Sequence, residues 1–156
     1  MSLHLVTDPL PREQLVKVAY SAWARCDEVA LLSLITDNCE FQLVGDPVLN
    51  PHAGRRVGKA GVRESVRLFH GDFVVHEFLI EKIIAKDDDA VVHWHSTLEF
   101  VRTGRMIESE RCDILAFEGN LISRIKCFFD SASMAVATGR VQTPDVEAPG
   151  AQARKA

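Results

Sequence analysis

No apolar run in the sequence approaches the roughly 20 residues that a membrane-spanning helix requires, so nothing in it suggests a helical membrane protein. The opening stretch, MSLHLVTDPLPREQ, has neither a basic n-region nor an apolar core and does not read as a secretory signal. A cytoplasmic location is the expectation. Positive charge is not in excess either. Eighteen lysines and arginines stand against 22 acidic residues, a formal net charge of −4, which removes the electrostatic ground for nucleic-acid binding. Cys26, Cys39, Cys112 and Cys127 form no close pair of the kind that zinc ribbons and redox motifs use, and they read as reduced core thiols. No segment repeats.

What remains is an ordinary soluble composition, 47% hydrophobic and 26% charged over 156 residues, long enough for one domain with a substantial core. Leu15, Val18, Ala19, Ala22 and Trp23 follow a helical stripe, predicting a helix over about residues 11–25 with Asp8 or Pro11 marking its start. Asp27 can cap a second short helix, EVALLSLI, which TDN ends, and CEFQLV then reads as a strand. GDPVLNPHAGRRVG is rich in turn formers and predicts a long loop. A third helix follows, with Val62, Ser65, Val66 and Phe69 on one face and Lys59, Arg63, Glu64 and Arg67 elsewhere on its surface.

Four strand-like runs then follow: FVVHEFLIEKIIA, AVVHWHSTLEFV, RMIESERCDILAFE and LISRIKCFFD. KDDD, RTG and GN separate them as hairpin turns. Helices first and a meander afterwards is an α+β plan. A domain is expected over residues 1–140, with residues 141–156 a weakly held tail that lacks periodicity.

This order of elements, together with CDEVALLSLITDNCEFQL, HAGRRVGKAGVRESV and RCDILAFEGNLISRIKCFFD, resembles the nuclear transport factor 2-like superfamily, in its SnoaL-like and ketosteroid-isomerase-like branch. The resemblance covers roughly residues 12–135. It implies a cone-shaped, curled antiparallel sheet wrapped around three N-terminal helices, a cystatin-like α+β barrel enclosing an apolar pocket. It also implies chains that pair through the sheet. Apolar residues on both faces of one strand, Ile114 and Ala116 against Leu115 and Phe117, point the same way, so a homodimer is expected.

His93, His95 and Glu99 in VVHWHSTLEF share one face of a strand and resemble the start of a cupin metal motif. The helical first half and the want of a later partner histidine argue against that reading. The opposite set, Val92, Trp94, Ser96, Leu98 and Phe100, carries more apolar surface and should face inward. The histidines therefore belong to the outer face, and no metal site is expected.

On the inner face of the next strand, Asp113 lies between Arg111 and Leu115, with Phe117 beyond. The resemblance places the branch's oxyanion-binding aspartate at Asp113. Two states stay open for it: a neutral acid, raised by burial, or a carboxylate paired with Arg111. The branch's tyrosine position falls on Ala19, with Tyr20 beside it and Trp23 one turn later. Its general-base position falls on Leu43, although a bulge at Gly45 could bring Asp46 into that role. The polar set of limonene-epoxide-hydrolase-like members would fall on Trp94, Ser96 and Cys127. His52, in the loop, is a candidate acid or base at the pocket mouth.

Candidate lining is Tyr20, Trp23, Phe41, Leu43, Phe69 and Trp94, with Ser96, Leu98, Phe100, Arg111, Phe117 and Phe129. Two functions fit: a cofactor-free acid–base enzyme acting on a hydrophobic polycyclic, terpenoid or polyketide-like molecule, or a non-catalytic ligand-binding or dimeric domain.

Overall fold

The computed structural model describes residues 10–142; Asp8 and the tail from Thr143 lie outside them. Helix α1 (Arg12–Ala24) begins after Pro11 and buries Leu15, Val16, Ala19, Tyr20 and Ala22. The buried stripe is rotated from the expected one. Val18 faces outward, and Val16 and Tyr20 take its place against the sheet. Both sides of this helix carry apolar residues, so periodicity alone leaves its rotation ambiguous.

Helix α2 (Glu28–Ser33) is capped by Asp27, whose side chain accepts the Ala30 N–H at 3.0 Å. It ends sooner than expected. Ile35 and the TDN segment belong to strand β1 (Ile35–Leu43), where Ile35 is fully buried opposite Ile122. The expected long loop also contains a short strand, β2 (Gly54–Val57), which pairs antiparallel with β1 and covers its free edge. Helix α3 (Gly58–Asp72) buries Val62, Val66 and Phe69 as its stripe predicts. Arg67 on its outer side grips Glu28 of α2 through two hydrogen bonds of 2.6 and 2.9 Å.

Strands β3 (Phe73–Lys86), β4 (Asp89–Phe100), β5 (Arg105–Glu118) and β6 (Leu121–Phe129) form the meander. The six strands run in the order β2-β1-β6-β5-β4-β3, a curled sheet that stays open between β2 and β3 instead of closing into a barrel. The sheet is not wholly antiparallel, because β1 and β6 pair in parallel. That pairing joins segments some 85 residues apart, so no local pattern announces it.

Burial alternates strictly along β4 and β5. Val92, Trp94, Ser96, Leu98 and Phe100 point in, as do Ile107, Ser109, Arg111, Asp113, Leu115 and Phe117. His93 and His95 point out and turn away from each other. His93 Nε2 meets Glu110 Oε1 on β5 at 2.7 Å, while His95 Nδ1 meets Glu81 Oε1 on β3 at 3.0 Å. Register shifts in the β3–β4 ladder leave His76 and Glu81 as extra residues, and these bulges bend the sheet. His76 uses its place to reach Glu99 at 2.7 Å. Such exposed pairs contribute about 0–1 kcal/mol each. Among the described residues, no three His, Cys, Asp or Glu side chains gather as a metal ion would require.

A fourth helix, α4 (Ser131–Ala137), was not foreseen; Asp130 caps it through the Ser133 N–H at 3.0 Å. Its Met134 joins Phe69, Phe73, Leu98, Phe100 and Ile107 in a second apolar cluster, distinct from the main core beneath α1 and α2. Two of the four cysteines, Cys26 and Cys112, are exposed instead of buried. No helix among the described residues is long and apolar enough to cross a membrane.

Candidate ligand pocket

Asp113 is 1% exposed, on the inner face of β5. Two neutral donors converge on one of its oxygens. Tyr20 of α1 donates its hydroxyl to Oδ2 at 2.6 Å, and Trp94 of β4 donates its indole N–H to the same atom at 2.7 Å. The two rings meet edge to face, 5.6 Å between centroids, so each donor holds the other in place. Oδ1 has no hydrogen-bond partner among the described residues. Burial raises the Asp113 pKa, and the bonds from Tyr20 and Trp94 and the charge of Arg111 only partly oppose it. The Tyr20 hydroxyl is itself pushed well above its ordinary range, chiefly by burial and then by Asp113, and so remains a donor.

Arg111 is nearly as deeply buried, at 6% exposure. It forms no ion pair with Asp113; its Nε donates to Ser109 Oγ at 3.1 Å. Its guanidinium lies against three aromatic rings, 5.1 Å from Trp94 and 5.4 Å from both Phe69 and Phe129. Of the two states left open for Asp113, the close pair with Arg111 is thus not formed. The reason is competition: Tyr20 and Trp94 hold the carboxyl through Oδ2, while the three rings surround the guanidinium.

His52 comes from the loop before β2. Its Nε2 lies 3.0 Å from Oδ2 of Asp72, the last residue of α3, and its ring packs on Phe69 and Phe73. Desolvation lowers its pKa more than the Asp72 charge raises it, so the imidazole is neutral under ordinary conditions. Asp72 was not a sequence candidate. It is 20 positions from His52, and only the fold joins them.

These groups share the wall of one cavity of about 70 Å³. Asp113, Arg111 and His52 are its titratable candidates, and Tyr20, Trp23, Phe41, Leu43, Phe69 and Trp94 also line it. The expected lining left out Leu31, Val62, Ser65, Val66, Ile122 and Ile125, which complete the wall together with Ala19 and Cys127, two residues that the resemblance set at site positions. Cys127 held a clue, since it is the Cα partner of Asp113 across the β5–β6 ladder. Its burial raises the thiol pKa well above the usual value.

Six candidates lie elsewhere. Asp46 is exposed and its carboxylate accepts the Val48 N–H at 2.8 Å, so it shapes the loop and does not reach the cavity. Leu98 and Phe100 point inward but pack in the second cluster, under α4. Ser96 is fully buried outside the cavity wall, and its hydroxyl has no partner among the described residues. Phe117 packs at the far end of the main core, beneath the Arg12 guanidinium at 4.5 Å. Phe129 touches the site only through Arg111. Parity placed the five inward-facing residues on the correct side of the sheet, but depth along the strand separates core from cavity.

Residues 16–125 match the family model of the SnoaL-like domain, and the chain belongs to that family. Solved structures share its fold. An NTF2-like protein from Burkholderia xenovorans superposes with a TM-score of 0.69 at 21% identity, covering 81% of this chain and 94% of that one. A protein from Catenulispora acidiphila with a ketosteroid isomerase-like fold, solved in complex with trimethylamine, gives 0.70 at 14% identity over 84% and 98% of the two chains. A proposed isomerase from Bacillus subtilis gives 0.72 at 13% identity over 82% and 92%. No curated protein matches the sequence.

The raised pKa of Asp113 has a consequence for stability. A carboxyl whose pKa is higher in the folded state stabilises the fold fully below its unfolded pKa, about 3.9. That contribution is lost as pH rises through the folded value. Asp113→Asn cannot ionise and keeps the same acceptor for Tyr20 and Trp94. In denaturation measured across pH, the variant should match wild type at or below about pH 4 and exceed it increasingly as pH rises to the folded pKa. Parallel curves would show that the carboxyl is not raised. Asp113→Ala should instead lose about 1–3 kcal/mol for each donor left without an acceptor.

Proposed function

We propose that the chain binds a small, mainly apolar carbonyl compound in this cavity and transfers a proton on it, with Asp113 as the acid and His52 as the base. The observation that carries this reading is the pair's environment. Burial pushes Asp113 towards its neutral, proton-donating form and His52 towards its neutral, proton-accepting form, in the wall of one cavity. Donation of the His52 Nε2 proton to Asp72 leaves Nδ1 as the accepting nitrogen. Asp113 supports the carbonyl oxygen while His52 removes a proton from the adjacent carbon; where a double bond follows that carbon, return of the proton two carbons away shifts the double bond and completes an isomerisation. The likeness to proposed isomerases agrees with this chemistry.

The cavity's size narrows the substrate. At about 70 Å³ it favours a small molecule over a polycyclic one. One observation favours plain binding instead: the position at which the resembling isomerases carry their base is Leu43, an apolar wall residue. Proton exchange separates the two readings. Incubated in D2O with cyclohexanone and 3-cyclohexenone, the wild-type protein should speed deuterium entry beside the carbonyl, followed by nuclear magnetic resonance. His52→Ala and Asp113→Asn should each reduce that rate by about 10²–10⁴-fold. Binding of these ketones with exchange no faster than in buffer would leave a binding protein and remove the enzyme.

We also infer that two chains pair across the outer face of the sheet. Ile84, Val91 and Ile114 stand in register across three strands, with Phe128 one row further, and all four are exposed. A sheet face meant for water would carry polar residues along such a row. Light scattering at micromolar concentration should return twice the chain mass; a monomer would refute the pairing.

A further inference from the structure

We propose that the molecule held in this cavity is an acid, and that the Arg111 guanidinium binds its carboxylate. The inference rests on the cavity being a ligand site and adds the chemical class of the ligand. Arginine carries five N–H donors in a planar fork. Here only Nε is engaged, by Ser109; the terminal nitrogens have no hydrogen-bond partner or ion pair among the described residues. Yet the side chain is more than nine-tenths buried and lines the cavity.

A buried charge left without a counter-charge is unfavourable by several kcal/mol, and native structures normally pair it. The carboxyl that could have paired is available two residues along the same face, but Tyr20 and Trp94 hold its Oδ2. The rings of Phe69, Trp94 and Phe129, 5.1–5.4 Å from the guanidinium carbon, stabilise the cation. They supply no oxygen or nitrogen acceptor to its terminal N–H groups. Two parallel N–H groups at the edge of a guanidinium match a carboxylate, which they bind bidentately.

The rest of the wall is mainly apolar. Phe41, Leu43, Val62, Val66 and Ile125 suit a hydrocarbon body, and among the described residues no Lys or Arg besides Arg111 lines the cavity to hold the second charge of a phosphate. The ligand class is therefore a small apolar carboxylic acid, bound as its anion.

Calorimetric titration with matched pairs tests this: benzoate with benzamide, cyclohexanecarboxylate with its amide, and isobutyrate with its amide, plus inorganic phosphate. Wild type should bind the best acid about 10- to 100-fold more tightly than its amide, the range a charge-assisted bidentate contact supplies. Phosphate should not compete. Arg111→Met should lose that preference while keeping its affinity for the amide, and Arg111→Lys should recover only part of it. Near-ultraviolet circular dichroism checks that the variants are folded, and the wild-type comparison stands without them. Equal affinity of wild type for acid and amide would overturn the inference while leaving the pocket intact, as would an unchanged preference in folded Arg111→Met. Binding of none of the probes would remove the ligand site itself.

Discussion

The structure turns on a carboxyl buried away from bulk water. Asp113 is tolerated in the core because Tyr20 and Trp94 replace, on one oxygen, the hydrogen bonds that water would have made. Much follows from that arrangement. Tyr20 ties α1 to the sheet, and Trp94 packs in the main core and walls the cavity. Arg111, denied a close ion pair, is held by aromatic faces instead. Asp113 and Arg111 would have neutralised each other as a salt bridge; kept apart, each retains chemistry that a ligand can use.

The second half of the site is assembled from parts distant in the chain. His52 is delivered by the loop that precedes β2, and Asp72 by the end of α3. The Asn50 side chain accepts the His52 backbone N–H at 3.0 Å and fixes the loop where it meets α3. Because Phe69 touches His52, Trp23 and Arg111, the aromatic wall links the histidine to the buried pair without a polar path between them. An apolar wall with a few separated polar groups orients a small molecule, whereas contiguous polar groups would satisfy one another.

What the sequence discloses is the part of the fold written in local periods. Alternation along β4 and β5 sends Trp94 and Asp113 inward and His93 and His95 outward, because a pleated strand allows no other assignment once one set is bulkier. The rotation of α1 is different. Val16 and Val18 are chemically equivalent, and only packing against the sheet decides that Tyr20 turns inward beside Ala19. The His52–Asp72 contact and the parallel pairing of β1 with β6 are long-range, and no spacing rule reaches them. Helix α4 did leave a signal, an aspartate three residues before a serine N–H it caps, but a helix of 7 residues has too little period to read. Asp46 fails for a local reason: β1 ends at Leu43, and the carboxylate spends itself on the Val48 N–H.

The family and fold bound the function without choosing it, since one scaffold hosts many chemistries. The choice rests on the protonation of a single side chain. Carbon-13 nuclear magnetic resonance of protein labelled at aspartate carboxyls, with Asp113 assigned by its loss in Asp113→Asn, reads that state directly. The structure predicts a resonance that titrates clearly above the ordinary aspartate value of about 3.9. Titration at or below that value would mean that Asp113 is an ordinary carboxylate, and would contradict its role as the acid of the pocket.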